Sequence, residues 1–359
     1  MPEQEPFLKI AITADLHLTS RKDHPGRYHA LENILQQMLE EEIGSIIIAG
    51  DLFDESSRNY SEFERLCQNP KFKSIHFHVI PGNHDSRLSN RMISNKNVVV
   101  YSEPEIQKFG PMPFLLLPYK KDKSMGEVIA SFSSELNPNE WILVGHGDWV
   151  EGMREPNPVE PGVYMPLTQM DVESFKPLRA VLGHIHKPMD TNVIHYPGSP
   201  CPCDITETGK RRFLIVDSEN GEVIVRNVDS DVIYFDESFV VYPVEDEQVY
   251  LRNQVALRME RWGIDESEKA KVEVRVKVSG YTSDKRKLMS TLKECFAGIS
   301  FYQKGEPDIS EVSVSDDVER AEIAQRVSRK IRELAWPEDE GQPRKDQMLF
   351  EALRVIYGD

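Results

Sequence analysis

Cysteine is scarce. The four present (Cys67, Cys201, Cys203, Cys295) are too few and too scattered for a disulfide framework. Only Cys201 and Cys203 lie close together, and with no second pair to complete a thiolate site the Cys-Pro-Cys triplet reads as a structural loop. Long apolar runs are missing too. None approaches the roughly 20 residues that a membrane-spanning helix needs, and the opening "MPEQEPFLKIAITADLH" has neither a basic leader nor a cleavage pattern. A cytoplasmic protein with reduced thiols and no membrane contact is expected. Positive charge is also in deficit: 43 Lys and Arg against 60 Asp and Glu leave a net charge of −17. That charge opposes diffuse attraction to nucleic acid or to an anionic membrane, and a polyanionic substrate must be held by a local basic patch or by bound metal.

What is present is an ordinary globular composition, 39% apolar and 29% charged over 359 residues, long enough for two or three domains. Short apolar runs alternate with helical patterns through the first 230 residues, which predicts α/β layers. "LKIAITA" (8–14), "SIIIAG" (45–50), "IHFHVI" (75–80), "FLLLP" (114–118), "WILVGH" (141–146) and "RAVLGH" (179–184) read as buried strands. Between the first two, Leu31, Ile34, Leu35, Met38 and Leu39 share one helical face, so 8–50 is expected to form a βαβ unit with a right-handed crossover. "NVIHYPGS" (192–199), "RRFLIVDS" (211–218) and "GEVIVRNV" (221–228) read as antiparallel strands, the last two joined by a turn at "SENG".

A second domain is predicted over 233–315, where Val272, Val274, Val276 and Val278 alternate with polar residues, an amphipathic helix spans 283–298, and "ISEVSVS" (309–315) supplies a strand to pair with the valines. The remaining 316–359 reads as a helical C-terminal segment, two helices around the linker "PEDEGQP" (337–343). Val318, Ile323, Val327, Ile331 and Leu334 mark a stripe on the first helix that either folds back on the protein or receives a partner.

The residues that carry chemistry follow the strands, where an α/β sheet gathers side chains into one crevice. "DLH" gives Asp15 and His17; "GDLFD" gives Asp51 and Asp54; "GNHD" gives Asn83, His84 and Asp85. "GHGD" gives His146, and "GHIH" gives His184 and His186. Each cluster alone is weak, whereas five of them at successive strand exits predict a metal centre. His76 and His78, alternating in a strand without acidic companions, are read as structural. Asp15, His17, Asp51, Asn83, His146, His184 and His186 make seven donors, too many for one ion that keeps open positions, so two divalent ions sharing a carboxylate are expected. Imidazole, carboxylate and amide donors without thiolate favour Mn²⁺, with Fe²⁺ or Zn²⁺ as alternatives. Such a pair suits phosphoester hydrolysis.

The ordered set D-x-H, G-D-x-x-D, G-N-H-D, G-H and G-H-x-H resembles the calcineurin-like metallophosphoesterase superfamily over about 8–200. Within it the chain is similar to the nuclease subunits of SbcCD-type DNA double-strand-break repair complexes, on "AGDLFD", on "YPGSP" and "RRFLIVD" after "GHIH", and on the placing of the small α+β domain. That resemblance implies a two-sheet α/β sandwich with a capping domain. It assigns Asp15, His17 and His186 to one ion, Asn83, His146 and His184 to the other, and Asp51 to both. It makes His84 the proton donor to the leaving oxygen and Asp85 the group that orients its ring. It also implies DNA as substrate, a homodimer, and an ABC-type coiled-coil ATPase partner bound near the C-terminus. The chain departs from archaeal and eukaryotic members at Asp54, where they carry histidine, and 148–167 and the last 45 residues match no pattern of the family. Candidate phosphate contacts are Arg87 and Arg91, Lys120, Lys121 and Lys123, and Lys210, Arg211 and Arg212. The competing readings are a small-molecule or nucleotide phosphodiesterase or phosphatase with the same centre, and a DNA-end scaffold.

Overall fold

The computed structural model describes residues 9–54, 60–150, 162–336 and 344–358. It divides into two compact units, one of residues 1–203 and 210–231, the other of 204–209 and 232–359.

The first unit contains strands β1 (Lys9–Thr13), β2 (Ser45–Ala49), β3 (His76–Ile80), β4 (Val98–Val100), β5 (Glu105–Phe109), β6 (Met112–Leu117), β7 (Ile142–His146), β8 (Trp149–Val150), β9 (Leu167–Thr168), β10 (Arg179–Gly183), β11 (Met189–Asp190), β12 (Ile194–Tyr196), β13 (Arg212–Asp217) and β14 (Val223–Asn227). Two six-stranded sheets result, ordered β14-β13-β1-β2-β3-β4 and β11-β12-β10-β7-β6-β5. β1 to β4 run parallel, as do β6, β7, β10 and β12. β13 and β14 form the expected antiparallel hairpin. The expectation for 192–199 is corrected in part: β12 is antiparallel to β11 but parallel to β10. The short strands β4 and β5 are not anticipated by the sequence pattern, because three valines at an edge and the polar "EIQKF" carry too little periodicity to register.

The strands read as continuous apolar runs because both of their faces are covered. Ile10, Ile12, Ile47 and Ile80 face inward and meet Phe114, Leu116, Ile142, Val144 and Val181 from the second sheet. The intervening Ala11, Ile46, Ile48 and Val79 pack against helix α1 (Pro25–Glu40) and Phe63 of α2 (Tyr60–Gln68). Leu115, Leu143 and Leu182 take Met125 and Ile129 of α3 (Met125–Ala130) on their outer face. Each such fully buried side chain contributes about 1.5–3 kcal/mol, and together they fix where the polar strand exits fall. A short helix α4 (Gln169–Phe175) precedes β10.

In the second unit, β15 (Ile233–Val241), β16 (Val272–Thr282), β17 (Ser300–Phe301) and β18 (Asp308–Val314) form a parallel sheet. The four valines of β16 are buried, with α5 (Glu247–Arg261) and α6 (Lys285–Cys295) supplying Val255 and Leu292. α7 (Val318–Glu333) and α8 (Lys345–Tyr357) belong to this unit, so 316–359 is not a separate segment. They pack through Ala324, Leu349, Leu353 and Tyr357 onto Tyr242 and Tyr281, with the Tyr281 and Tyr357 rings stacked at 4.0 Å. The fully packed face of α7 is the small one, Ala321, Ala324 and Ser328; of the predicted stripe, Ile331 packs at its margin and Val327 is half-buried, whereas Val318, Ile323 and Leu334 are exposed. The linker 337–343 lies outside the described residues. Among the described residues no helix is long and apolar enough to cross a membrane.

Candidate metal centre

The exits of β1 and β2 stay hydrogen-bonded past the ends of the strands: Asp15 N donates to Gly50 O (3.1 Å) and His17 N to Asp51 O (2.9 Å). In the other sheet, Gly183 and His146 stand in register on β10 and β7. These pairings bring the separate motifs into one crevice. Two glycines make the approach possible. A Cβ on Gly50, whose φ is +91°, would lie 1.9 Å from His146 Nδ1, and one on Gly82 would lie 2.1 Å from Asp51 Oδ1. Asp15, His17, Asp51 and His184 themselves adopt positive φ, a conformation that non-glycine residues hold only where the surroundings enforce it, at about 1 kcal/mol or more each.

One group of donors gathers around Asp15. His17 Nε2 and His186 Nε2 are 3.0 Å apart, the spacing of two imidazoles on one ion at roughly 2.1 Å each. One oxygen of Asp15 lies within 4.8 Å of both. The other group surrounds Asn83, whose Oδ1 is 2.8 Å from His146 Nε2 and 3.0 Å from His184 Nδ1. His146 Nδ1 meets Ala49 O at 2.9 Å; a carbonyl only accepts, so Nδ1 carries a proton and Nε2 is the nitrogen that faces the centre. Asp51 stands between the groups, with Oδ2 3.7 Å from His17 and 3.3 Å from His146.

The electrostatics call for a cation. Burial holds the Asp15 carboxyl above its usual range against the pull of His186 and His146. Burial likewise lowers His17 to about 3. Burial also opposes charge on Asp51 and His146, but their mutual attraction wins: His146 is raised to about 9 and Asp51 falls well below the usual carboxylate range. Carboxylates and lone-pair nitrogens crowded out of water in this way are compensated by divalent ions. The donor set fits two of them.

His84 is half-buried, and its backbone N–H donates to Asp51 Oδ1 at 2.9 Å. Its ring meets that of His17 edge-on at 4.8 Å, and by distance alone it could join His17 and Asp51 around an ion. The expectation for Asp85 is corrected. Its Oδ1 accepts from Gly82 N (2.7 Å) and its Oδ2 from Phe53 N (3.2 Å), so this buried carboxyl clamps the turn that presents Asn83 and His84 and does not orient the His84 ring. Burial, reinforced by Asp51 nearby, raises its pKa.

The basic candidates divide. Arg87, Arg91, Lys121 and Lys123 are exposed, and Lys210 is half-buried. Lys120 pairs with Glu103 at 2.7 Å and Arg212 with Asp190 at 2.6 Å. Arg211 is wholly buried, which removes it as a phosphate contact. Its guanidinium donates to the carbonyl of His186 and to Ser199 O and Oγ, holding the "GHIH" turn from behind. Residues that the sequence pattern does not single out also support the site. Asp148, buried, lies 3.7 Å from His184 Nε2 and accepts from Tyr164 N at 2.8 Å. Arg27 donates to His17 O and lies 3.7 Å from Asp54, which in turn is 4.0 Å from His17 Nδ1. His78 bonds Tyr101 Oη at 3.0 Å, as a structural histidine should. The crevice opens into a cavity of about 420 Å³ lined by Asn83, His84, Ser86, Tyr119, Lys120, Lys121 and Tyr164.

A sequence model for the calcineurin-like phosphoesterases matches residues 8–215. The SbcD subunit of the SbcCD nuclease of Staphylococcus epidermidis is 26% identical over 254 residues, 60% of this chain and 68% of that protein. The SbcD subunit of Escherichia coli K12 is 25% identical over 266 residues, 60% of this chain and 66% of that one. The metallophosphoesterase YhaO of Bacillus subtilis is 26% identical over 250 residues, covering 60% and 59%.

Proposed function

The chain belongs to the calcineurin-like phosphoesterase family, and from that premise we propose that it is a DNA nuclease, the phosphodiester-cutting subunit of a DNA-repair complex. One observation carries this reading. Seven donors from five strand exits meet in one crevice, and His84 stands where that crevice opens to a lysine-bearing cavity. The similarity to the SbcD subunits of SbcCD nucleases directs it toward DNA.

Divalent ions bound here supply Lewis acidity, making water nucleophilic near neutral pH and offsetting charge on phosphorus. Asp15, His17 and His186 would hold one, Asn83, His146 and His184 the other, with Asp51 shared. Mn²⁺ is the working assignment on donor chemistry. Ala49 O fixes the orientation of His146, and the Asp148 carboxylate lies 3.7 Å from His184 Nε2. His84, tied to Asp51 through its backbone, holds a proton and passes it to the departing sugar oxygen. A homodimer and an ATPase partner follow from the same resemblance. We propose the exposed Val318 and Ile323 of α7, with Leu334 just beyond its end, as the partner surface, and Val318→Asp with Ile323→Asp should abolish ATPase co-purification. A cytoplasmic location accompanies this role.

The test is direct. Purified protein is incubated with end-labelled duplex and single-stranded DNA under Mn²⁺, Mg²⁺ or chelator, beside His84→Ala. Cleavage that needs metal and His84 supports the reading. If wild type leaves DNA intact with every metal yet hydrolyses bis(p-nitrophenyl) phosphate, the nuclease assignment falls and a small-molecule phosphodiesterase takes its place.

A further inference from the structure

The cavity beside the metal centre contains two aromatic rings that the hydrolytic reading does not use. Tyr164 is held at both ends of its peptide unit by Asp148, N to Oδ2 at 2.8 Å and O from Asp148 N at 2.8 Å. Its ring lies 4.7 Å from that of His184. Tyr119 is fastened to the "GNHD" loop through its N–H to Pro81 O at 2.9 Å. The two tyrosine rings are 6.1 Å apart and inclined at 40°, and both line the cavity with His84, Ser86 and Lys121. Each tyrosine is half-buried, so each is partly open to whatever enters.

Metal ions and a proton donor recognise a phosphate and nothing else about the substrate. A cavity holding only those groups and water would be lined by small polar residues. Paired aromatic walls beside the candidate ligands, with the Tyr164 ring 4.7 Å from that of His184, instead match a flat π-system, and the π-system joined to a phosphodiester is a nucleobase. Within a duplex the base faces are already stacked, so an exposed aromatic wall gains most from a nucleotide that is unpaired. Lys121, exposed at the rim, would contact the neighbouring phosphate.

We propose that Tyr119 and Tyr164 form a nucleobase-stacking subsite adjoining the metal centre, which engages an unpaired nucleotide next to the cleaved bond. The proposal rests on the nuclease reading and narrows its substrate to strands that present an unstacked base there.

The experiment compares full-length protein with Mn²⁺ on two single-stranded oligonucleotides, one with normal bases and one with a single abasic residue beside the cleaved phosphate. Wild type is set beside Tyr119→Leu, Tyr164→Leu and Tyr164→Phe. Stacking on one ring has a rate or affinity value of roughly 5- to 100-fold. On the normal strand kcat/KM should fall by that factor in each leucine variant, mainly through KM, and recover in Tyr164→Phe. On the abasic strand the loss should be at least fivefold smaller, since ring and base are partners and removing either removes the same contact. Equal losses on the two strands, or none on either, overturn the subsite while leaving the nuclease intact. Failure of wild type to cut both strands overturns the nuclease reading itself, and the subsite with it. Tyr119→Leu leaves the Tyr164 ring against His184 in place, so a coupling seen there is not explained by loss of that contact.

Discussion

The two halves of the centre are built differently. Asp15, His17 and His186 combine a buried carboxylate with two facing imidazoles, and both histidines are gripped at their carbonyls by an arginine, Arg27 for His17 and Arg211 for His186. Asn83, His146 and His184 gather instead around a neutral amide oxygen, with no carboxylate among the three. Asp51 serves both. A divalent ion in the first half is therefore balanced by more negative charge than one in the second, so the first half should fill at lower metal concentration. The second half should be the one emptied first by a chelator.

Four experiments break or sharpen this contrast. Asp51→Asn strikes both halves; with several kcal/mol of charge stabilisation gone, cleavage should fall by about 10⁴-fold or more and neither ion should bind normally. Loss of just one ion in a metal count would show that Asp51 is not shared. His84→Gln should lower kcat by roughly 10²–10³-fold while leaving both ions in place. If the count drops to one, His84 is a ligand and the symmetry of three donors per half is lost.

Arg211→Met should weaken the first half alone, raising the Mn²⁺ dissociation constant by about 10–100-fold in a titration that resolves two sites. An equal effect on both sites would mean that Arg211 supports the fold and not His186. Asp54→Asn should give the smallest change, under about tenfold at the first half, because its carboxylate stands 4.0 Å from His17 Nδ1 without a hydrogen bond. A larger loss would raise Asp54 to the rank of Asp51.

The first half and the second are equally visible in the sequence, because each motif is a strand, a tight turn and a donor in succession. What supports them is not. Arg211 sits in the run "KRR", which has the look of a phosphate grip. The period of two that carries Arg211 inward beside buried Phe213, with Arg212 half-exposed, is the available signal. Asp148 stands in view within "GHGD", but nothing local reveals that it reaches His184. Asp85 is adjacent to His84, yet adjacency along the chain is not contact; its carboxyl turns instead to the amides of Gly82 and Phe53. The α+β character of the second unit is legible from the alternating valines. The docking of α7 is not, since it packs through Ala321, Ala324 and Ser328 with Ile331 at the margin and leaves Val318 and Ile323 exposed.

The pairing of β1 with β13 has a consequence for biosynthesis. His17 meets His186 across 169 positions, and the strand leading into "DLH" gains one of its two neighbours only when residues 212–217 leave the ribosome. A nascent chain that has already exposed Asp51, Asn83 and His146 still lacks the edge that steadies Asp15 and His17. Closure of that edge is a long-range, late event, so arrested or prematurely released fragments would carry most of the candidate ligands without the complete centre. Quality control would meet them as inert, open sheets and not as stray phosphoesterases.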